Sequence, residues 1–440
     1  MSREVNRRQF IAATTSAGVG LALTGATPAA EKPALLGGKP IRTKGYASWP
    51  KIATADEQSV LDVVRTGRWN RSRSVDEFEE TFAKASGAKF CVATSSGTSA
   101  LVTSLGALGV GPGDEVIVPP YTFLATVTAV LLHYALPVFV DSDRETLLMD
   151  PGKLEAAITD RTATIIPVHI GGSGADLDRI LATAKNRSVP VIEDACQAVF
   201  GQWRNRGLGS WGTSGCLSFQ VSKNLCSGEG GAILTSDEAM ANKCYAFHNC
   251  GRTRDRASAS YRGGRNTNVR MTEFQGALLL SQMTGLEQRA QTRSENAQYL
   301  SSLLSEIPGI LPARMYEGCT RNAYHLYMFR YQPEKFANLP RNRFLKALGA
   351  EGIPCSSGYG PLNTAEFIRD ALNSRPYVRV YGKAALDKWA ERNRCPENDK
   401  LCEEAVWCMQ NMFLGPRSDM DESGAAIRKI QAHAPALARA

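Results

Sequence analysis

Between residues 90 and 235 the chain repeats one pattern: a short run rich in Val and Ile, a turn, then an amphipathic stretch, then another such run. The runs fall at 90–93, 116–118, 137–140, 164–168, 189–192, 216–219 and 232–234. They do not alternate apolar with polar residues, so each strand is expected to be covered on both faces. Between them Leu101, Leu105 and Leu108 recur at helical spacing. Doubly buried strands separated by helices predict an α/β fold around a mostly parallel mixed sheet.

A chain of 440 residues is longer than one core of this kind needs. After about residue 283 the pattern changes. A helical stretch over 284–307 leads to a strand at 324–331, and 341–352 reads as a helix ended by Gly352. Gly415 and Pro416 break the chain before a last helix near 422–433. The expectation is a large domain over 31–285 and a smaller C-terminal α+β domain over 286–440.

Residues 1–30 stand apart. Arg7 and Arg8, followed by Gln9-Phe10-Ile11 and a weakly apolar stretch over 12–26, predict a twin-arginine signal. The protein is then periplasmic or exported by the twin-arginine route, a cytoplasmic location being the alternative; cleavage near Ala30 and an uncleaved anchor both stay open. The stretch is too short and too weakly apolar to predict a stable membrane span.

The basic surplus, 51 Lys and Arg against 43 Asp and Glu, is scattered along the chain, which argues against nucleic-acid binding. Eleven cysteines include no pair with metal-ligand spacing, so no metal site is expected. They read as small buried hydrophobes, with Cys395, Cys402 and Cys408 open to a disulfide in an exported protein.

Three segments carry chemistry. Ser95-Ser96-Gly97-Thr98-Ser99-Ala100 follows the first strand and opens a helix. Free N–H groups and hydroxyls there can cradle a phosphate, although the same composition also makes an ordinary helix cap. Next, the strand at 189–192 runs into Glu193 and Asp194, at the sheet edge where open α/β folds bind ligands. A carboxylate there can pair with a cationic ring nitrogen and make a pyridine ring a better electron sink; a cap or surface turn is the plainer reading. Third, Lys223 lies in a small-residue loop after the strand at 216–219, beside Gly228, Gly230 and Gly231. Burial lowers an amine's pKa and suits it to Schiff-base chemistry. A lone lysine is ordinarily solvated; the order of cradle, acid and lysine is what points to a site.

With these segments the chain resembles the DegT/StrS family of sugar aminotransferases, pyridoxal 5'-phosphate (PLP) enzymes of fold type I. The likeness rests on Gly109-Val110-Gly111-Pro112-Gly113-Asp114-Glu115-Val116-Ile117-Val118-Pro119, then Pro167-Val168-His169, Glu193-Asp194-Ala195, Ser218-Phe219 with Lys223, and Gly228-Glu229-Gly230-Gly231. Asn268-Val269-Arg270-Met271-Thr272-Glu273 follows in the same order, and the likeness runs from about residue 34 to 430. The opening over 34–44 and the stretch 218–223 are similar to the glutamine:scyllo-inosose aminotransferases and the 3-amino-5-hydroxybenzoate synthases of that family.

The resemblance implies roles residue by residue. Lys223 carries PLP as a Schiff base and moves the proton during transfer, and Asp194 keeps the ring nitrogen protonated. Gln197 lies near the ring oxygen and Phe123 stacks on the ring. Thr98, Ser99 and Ser218 bind the phosphate. Asn268 reaches the phosphate of a neighbouring subunit, which implies a homodimer with shared active sites. The implied reaction moves an amino group from glutamine or glutamate to a ketosugar or ketocyclitol. A PLP-dependent dehydratase or aromatising lyase, or a non-catalytic PLP-binding sensor, are the alternatives. His169 and His325 fall in family-like segments, which opens a pocket role for them; His133, His248 and His433 read as structural or exposed.

Overall fold

The computed structural model describes residues 31–254 and 265–439, so the leader and the signal read in it lie outside the described residues. Seven strands build the large sheet: β1 Phe90–Thr94, β2 Glu115–Val118, β3 Leu136–Phe139, β4 Thr162–Ile165, β5 Ile192–Asp194, β6 Ser214–Ser218 and β7 Gly231–Thr235. Their order is β3-β2-β4-β5-β6-β7-β1, with β4 joined to β5 through the parallel bridges Ile165 to Val191 and Val168 to Asp194. Every neighbouring pair is parallel except those of β7, which runs antiparallel to both β6 and β1. The sheet is thus mixed and mostly parallel, as the doubly apolar runs predict.

Each run lands on or beside a strand, with one displacement that matters. The strand expected at 189–192 is in fact β5, so Glu193 and Asp194 lie inside the ladder rather than after it. Two buried acids persist there because both accept hydrogen bonds, Glu193 at both oxygens twice over and Asp194 once at each. Helix α1, Gly97–Ala107, follows β1 and turns Leu101 and Leu105 into the core. It starts against β6: a Cβ on Gly97 would sit 2.7 Å from the Ser218 Cβ and 2.8 Å from the Cys196 Sγ. Only glycine lets the helix begin that close to the sheet.

The smaller domain has a three-stranded antiparallel sheet, β8 Ile310–Pro312, β9 Leu326–Tyr331 and β10 Ala405–Met409, in that order. Its core also draws on the helices Leu286–Ser305, Arg341–Ala350 and Ser418–Ala432. Gly352 closes the second of these at φ +85°, a left-handed position glycine takes without strain.

A boundary at 285/286 divides the sequence but not the packing. Leu35, Leu36, Ile41 and Tyr46 lie against the small-domain core, and Arg42 is buried there beside Asp419 and Glu422. In return, Leu362, Ile368, Leu372, Tyr377 and Trp389 join the large-domain core. Trp389 Nε1 donates to the Pro137 carbonyl at 2.8 Å and the Tyr377 hydroxyl to that of Ala135 at 2.9 Å. The segments 35–46 and 362–389 therefore each cross over to pack on the other domain's core. No helix among the described residues is long and apolar enough to cross a membrane.

Candidate active site

The C-terminal ends of β2, β5 and β6 and the start of α1 face a cleft of about 660 Å³, roofed by the small domain. Side chains alternate along a strand, so the adjacent acids at the end of β5 point to opposite faces. Asp194 faces the cleft. Its Oδ2 accepts the Thr126 hydroxyl at 2.8 Å and its Oδ1 the Cys196 N–H at 3.1 Å, which fixes the carboxylate and leaves lone pairs free for a third donor.

Glu193 points the other way, into a closed cage. It accepts N–H groups from Gly209, Trp211 and Gly212 at 2.7–2.8 Å and His169 Nε2–H at 2.9 Å. Burial opposes its charge, but His169 and these backbone donors outweigh burial and hold its pKa below the ordinary glutamate value. His169 Nδ1 in turn accepts from the Ala175 N–H at 3.1 Å, so the proton sits on Nε2. His169 is fully buried and does not line the cleft, whereas His325 does. His133, His248 and His433 each bond a nearby backbone carbonyl, away from the cleft.

Lys223 arrives on the loop after β6. Phe219 N–H donates to the Gly230 carbonyl and Val221 N–H to that of Gly228, with Gly228 at φ +84° and Gly230 at φ +155°, so the glycines make the return that aims the lysine inward. Burial lowers the Lys223 pKa from its ordinary value, against an opposing pull from Cys196 and Asp194. Its Nζ lies 3.3 Å from His325 Nε2. Burial, with the neighbouring Lys223 and Arg293, drives the His325 pKa well below normal. The ring is therefore neutral, and Nε2 can accept from the amine while Nδ1 finds no protein partner.

The remaining expected residues divide. Thr98, Phe123, Gln197 and Ser218 all line the cleft. Phe123 is 52% exposed and presents an aromatic ring to the cleft. Gln197 is buried, its Oε1 accepting the Gly171 N–H at 2.8 Å and its Nε2 donating to the Tyr359 hydroxyl at 2.7 Å. Ser99 is not brought to the cleft wall: its hydroxyl bonds those of Ser95 and Ser96, and its N–H is capped by the Ser96 side chain. Asn268 is exposed and paired with Asn249, outside this cleft.

Sequence reading missed Thr126, Tyr359, Trp407 and Met409. Thr126 carries the same signal as α1, a small hydroxyl at a helix start after a strand. Tyr359 lies in irregular chain, and Trp407 and Met409 arrive on β10, a strand the sequence reading does not predict.

These residues fit PLP. The tight entry of α1 at Gly97 puts the first residues of the helix, Gly97 and Thr98, at the cleft, where their N–H groups and the Thr98 hydroxyl suit a phosphate. Asp194 offers an oriented carboxylate for a ring nitrogen, and Lys223 a buried amine of lowered pKa for the aldehyde. Among the described residues there is no group of three or more His, Cys, Asp or Glu that could hold a metal ion.

Known proteins agree with this geometry. The sequence profile of the DegT/DnrJ/EryC1/StrS aminotransferase family matches residues 50–381. The L-glutamine:2-deoxy-scyllo-inosose aminotransferase of Streptoalloteichus tenebrarius is 34% identical over 91% of this chain and 97% of its own. Among solved structures, 3-amino-5-hydroxybenzoic acid (AHBA) synthase superposes with a TM-score of 0.78 at 29% identity, over 91% of this chain and all of its own. NtdA of Bacillus subtilis, solved with bound PMP, superposes with a TM-score of 0.71 at 25% identity, over 88% and 86% of the two chains.

Proposed function

We propose, for a chain that belongs to the DegT/DnrJ/EryC1/StrS aminotransferase family, that it takes the amino group of L-glutamine and delivers it to the keto carbon of a cyclitol or sugar. It is a PLP-dependent aminotransferase of fold type I. The donor and acceptor are our reading. The observation that carries it is the convergence of Lys223 and Asp194 on one cleft, in a chain whose relatives include an enzyme named for glutamine and a deoxy-inosose.

PLP bound here would supply the electron sink that lets a proton leave the carbon bearing the amino group. The protein does the rest. Asp194, fixed by Thr126 and Cys196, would hold a proton on the ring nitrogen and so keep the sink deep. Lys223 Nζ would take the proton from the donor's amino-bearing carbon and return it on the other side of the transfer. A pKa lowered from the ordinary lysine value by burial suits both halves of that task. His325 Nε2, a neutral acceptor, would orient Nζ between strokes. Phe123 would cover one face of the ring, while Gln197, held by Gly171 and Tyr359, would set its edge.

Polar Gln220, Ser222 and Glu229 and apolar Trp407 and Met409 line the rest of the cleft, a mixture suited to a hydroxylated ring. We further propose a homodimer in which the exposed Asn268 serves the partner's phosphate, and export of the enzyme by the leader at 1–30.

The test is the visible spectrum of PLP-loaded protein on adding L-glutamine, followed by a ketocyclitol. Bleaching of the cofactor band with release of the keto acid, then recovery with the acceptor, is expected. A band that neither glutamine nor glutamate changes would overturn the proposal.

A further inference from the structure

Cys355 and Cys408 face each other at the edge of the small-domain sheet. Ser356 and Trp407 exchange both backbone hydrogen bonds, at 2.9 and 3.0 Å, which makes them a hydrogen-bonded antiparallel pair. One step along, Cys355 stands opposite Cys408 in the non-hydrogen-bonded position, where Cα atoms approach to about 4.5 Å. Their Sγ atoms are 3.3 Å apart. A disulfide needs sulfurs about 2.05 Å apart on Cα atoms roughly 4.4–6.8 Å apart, so side-chain rotation suffices to close this pair. Cys395 and Cys402 instead turn to Asn393 and Asn398, so Cys408 finds its neighbour outside the group that sequence spacing suggests.

We propose that Cys355 and Cys408 are a disulfide-forming pair, and that the bond locks the loop bearing Tyr359 to the strand bearing Trp407 and Met409. That loop has little regular structure, and its one backbone pairing with β10 among the described residues is the Ser356 bridge, with Arg341 also joining the Ser357 and Ala405 carbonyls. Its Tyr359 ring meets Trp407 edge-on at 4.5 Å, and its hydroxyl holds Gln197. Residues 407 and 409 face the cleft while Val406 and Cys408 face the small-domain core, so the bond forms on the reverse side of the strand and leaves the cleft open. It also closes a long loop, since 53 positions separate the two cysteines.

The oxidant is a low-molecular-weight disulfide. Partly buried Cys355, whose thiol pKa the adjacent Cys408 and burial raise well above the ordinary value, attacks one of its sulfurs through its minor thiolate form and expels the first small thiol. Buried Cys408 then attacks the mixed disulfide at the Cys355 sulfur and expels the second. Two protein thiols are oxidised, one small disulfide is reduced to two thiols, and the two protein protons end on those leaving thiols.

The experiment treats full-length PLP-loaded protein with oxidised glutathione or with a phosphine reductant. Remaining thiols are then alkylated in denaturant and the peptides mapped by mass. A peptide joining Cys355 to Cys408, lighter by two hydrogens, is expected after oxidation and absent after reduction and from Cys355→Ser. Exposed Cys250 should be alkylated after reduction and should appear as a free thiol or a glutathione adduct after oxidation. Amides around Tyr359 should exchange more slowly with solvent in the oxidised wild type and unchanged in Cys355→Ser. Recovery of Cys355 as a free thiol or a stable glutathione adduct, or linkage of Cys408 to another cysteine, would overturn the inference. The wild-type map alone decides the bond if the variant fails to fold.

Discussion

Glu193 and Asp194 are neighbours in sequence and opposites in task, and Glu193→Gln separates the two. In the wild type each Glu193 oxygen accepts two donors: Oε1 those of Trp211 and Gly212, Oε2 those of Gly209 and His169. An amide keeps one oxygen and turns an NH2 toward the other pair, so two buried donors meet a donor. His169 cannot flip its proton to compensate, because the Ala175 N–H already occupies Nδ1. Each unmade buried bond costs about 1–3 kcal/mol, so the variant should lose about 4 kcal/mol. For a large domain that is a fall in Tm of roughly 8 °C or more.

The wild-type sign in acid follows from the same cage. A carboxyl held below the ordinary glutamate pKa contributes stability that is complete above that ordinary value and is lost as pH falls through the lowered one. Thermal scans of wild type and Glu193→Gln at neutral and acidic pH test both points. The variant should melt lower at neutral pH, its acid limb should be shallower, and the spectrum of bound PLP at 25 °C should be unchanged. A variant that melts within a degree or two of wild type, or that loses the cofactor spectrum while folded, would refute the assignment of a purely structural role.

Asp194→Asn should do the reverse, folding normally while losing about 10²–10³-fold in kcat, measured by the glutamine half-reaction. Lys223→Ala should cost at least about 10³-fold, with the cofactor retained more weakly and its visible band shifted. Tyr359→Phe removes a 2.7 Å bond to Gln197 and should weaken cofactor retention by about 1 kcal/mol, a severalfold rise in Kd with kcat nearly intact. His248, pulled to a pKa of about 4 chiefly by burial, is neutral when folded and binds its proton only on unfolding between its ordinary value and that one. Stability should therefore fall by about 3 kcal/mol as pH drops from about 6.5 to 4, and a His248→Met variant should flatten that slope in denaturant titrations.

The large sheet was legible because strands buried on both faces leave a mark, seven short, mostly apolar runs, of which those at 116–118, 137–140, 164–168 and 189–192 are rich in Val and Ile. The small domain was legible only in outline: its helices kept their period, but β10 and the segment that returns to pack Tyr377 and Trp389 on the large domain carry no pattern that announces a partner so far away in sequence. The same divide runs through the site. Asp194 and Thr98 sit at ends of regular elements and Lys223 on the glycine-closed loop just after one, where the chemistry and the local signal coincide. Tyr359, Trp407 and His325 come from the other domain, and their place against Lys223 is a property of the interface between cores.

The two acids of β5 mark where sequence reasoning stops. Strand alternation requires Glu193 and Asp194 to face opposite ways, but cannot say which one meets the ligand. That is decided by what each face offers. On one side, three backbone N–H groups of the 209–212 turn and a histidine locked in one tautomer satisfy a carboxylate completely and leave it nothing to give. On the other, one hydroxyl and one N–H fix Asp194 while leaving acceptor capacity toward the open cleft and Lys223. A saturated buried acid stabilises a fold, and an unsaturated one beside a low-pKa amine is poised for chemistry. His169 and His325 divide on the same ground: the first has both nitrogens engaged within the protein, and the second keeps one free and turns the other to the lysine.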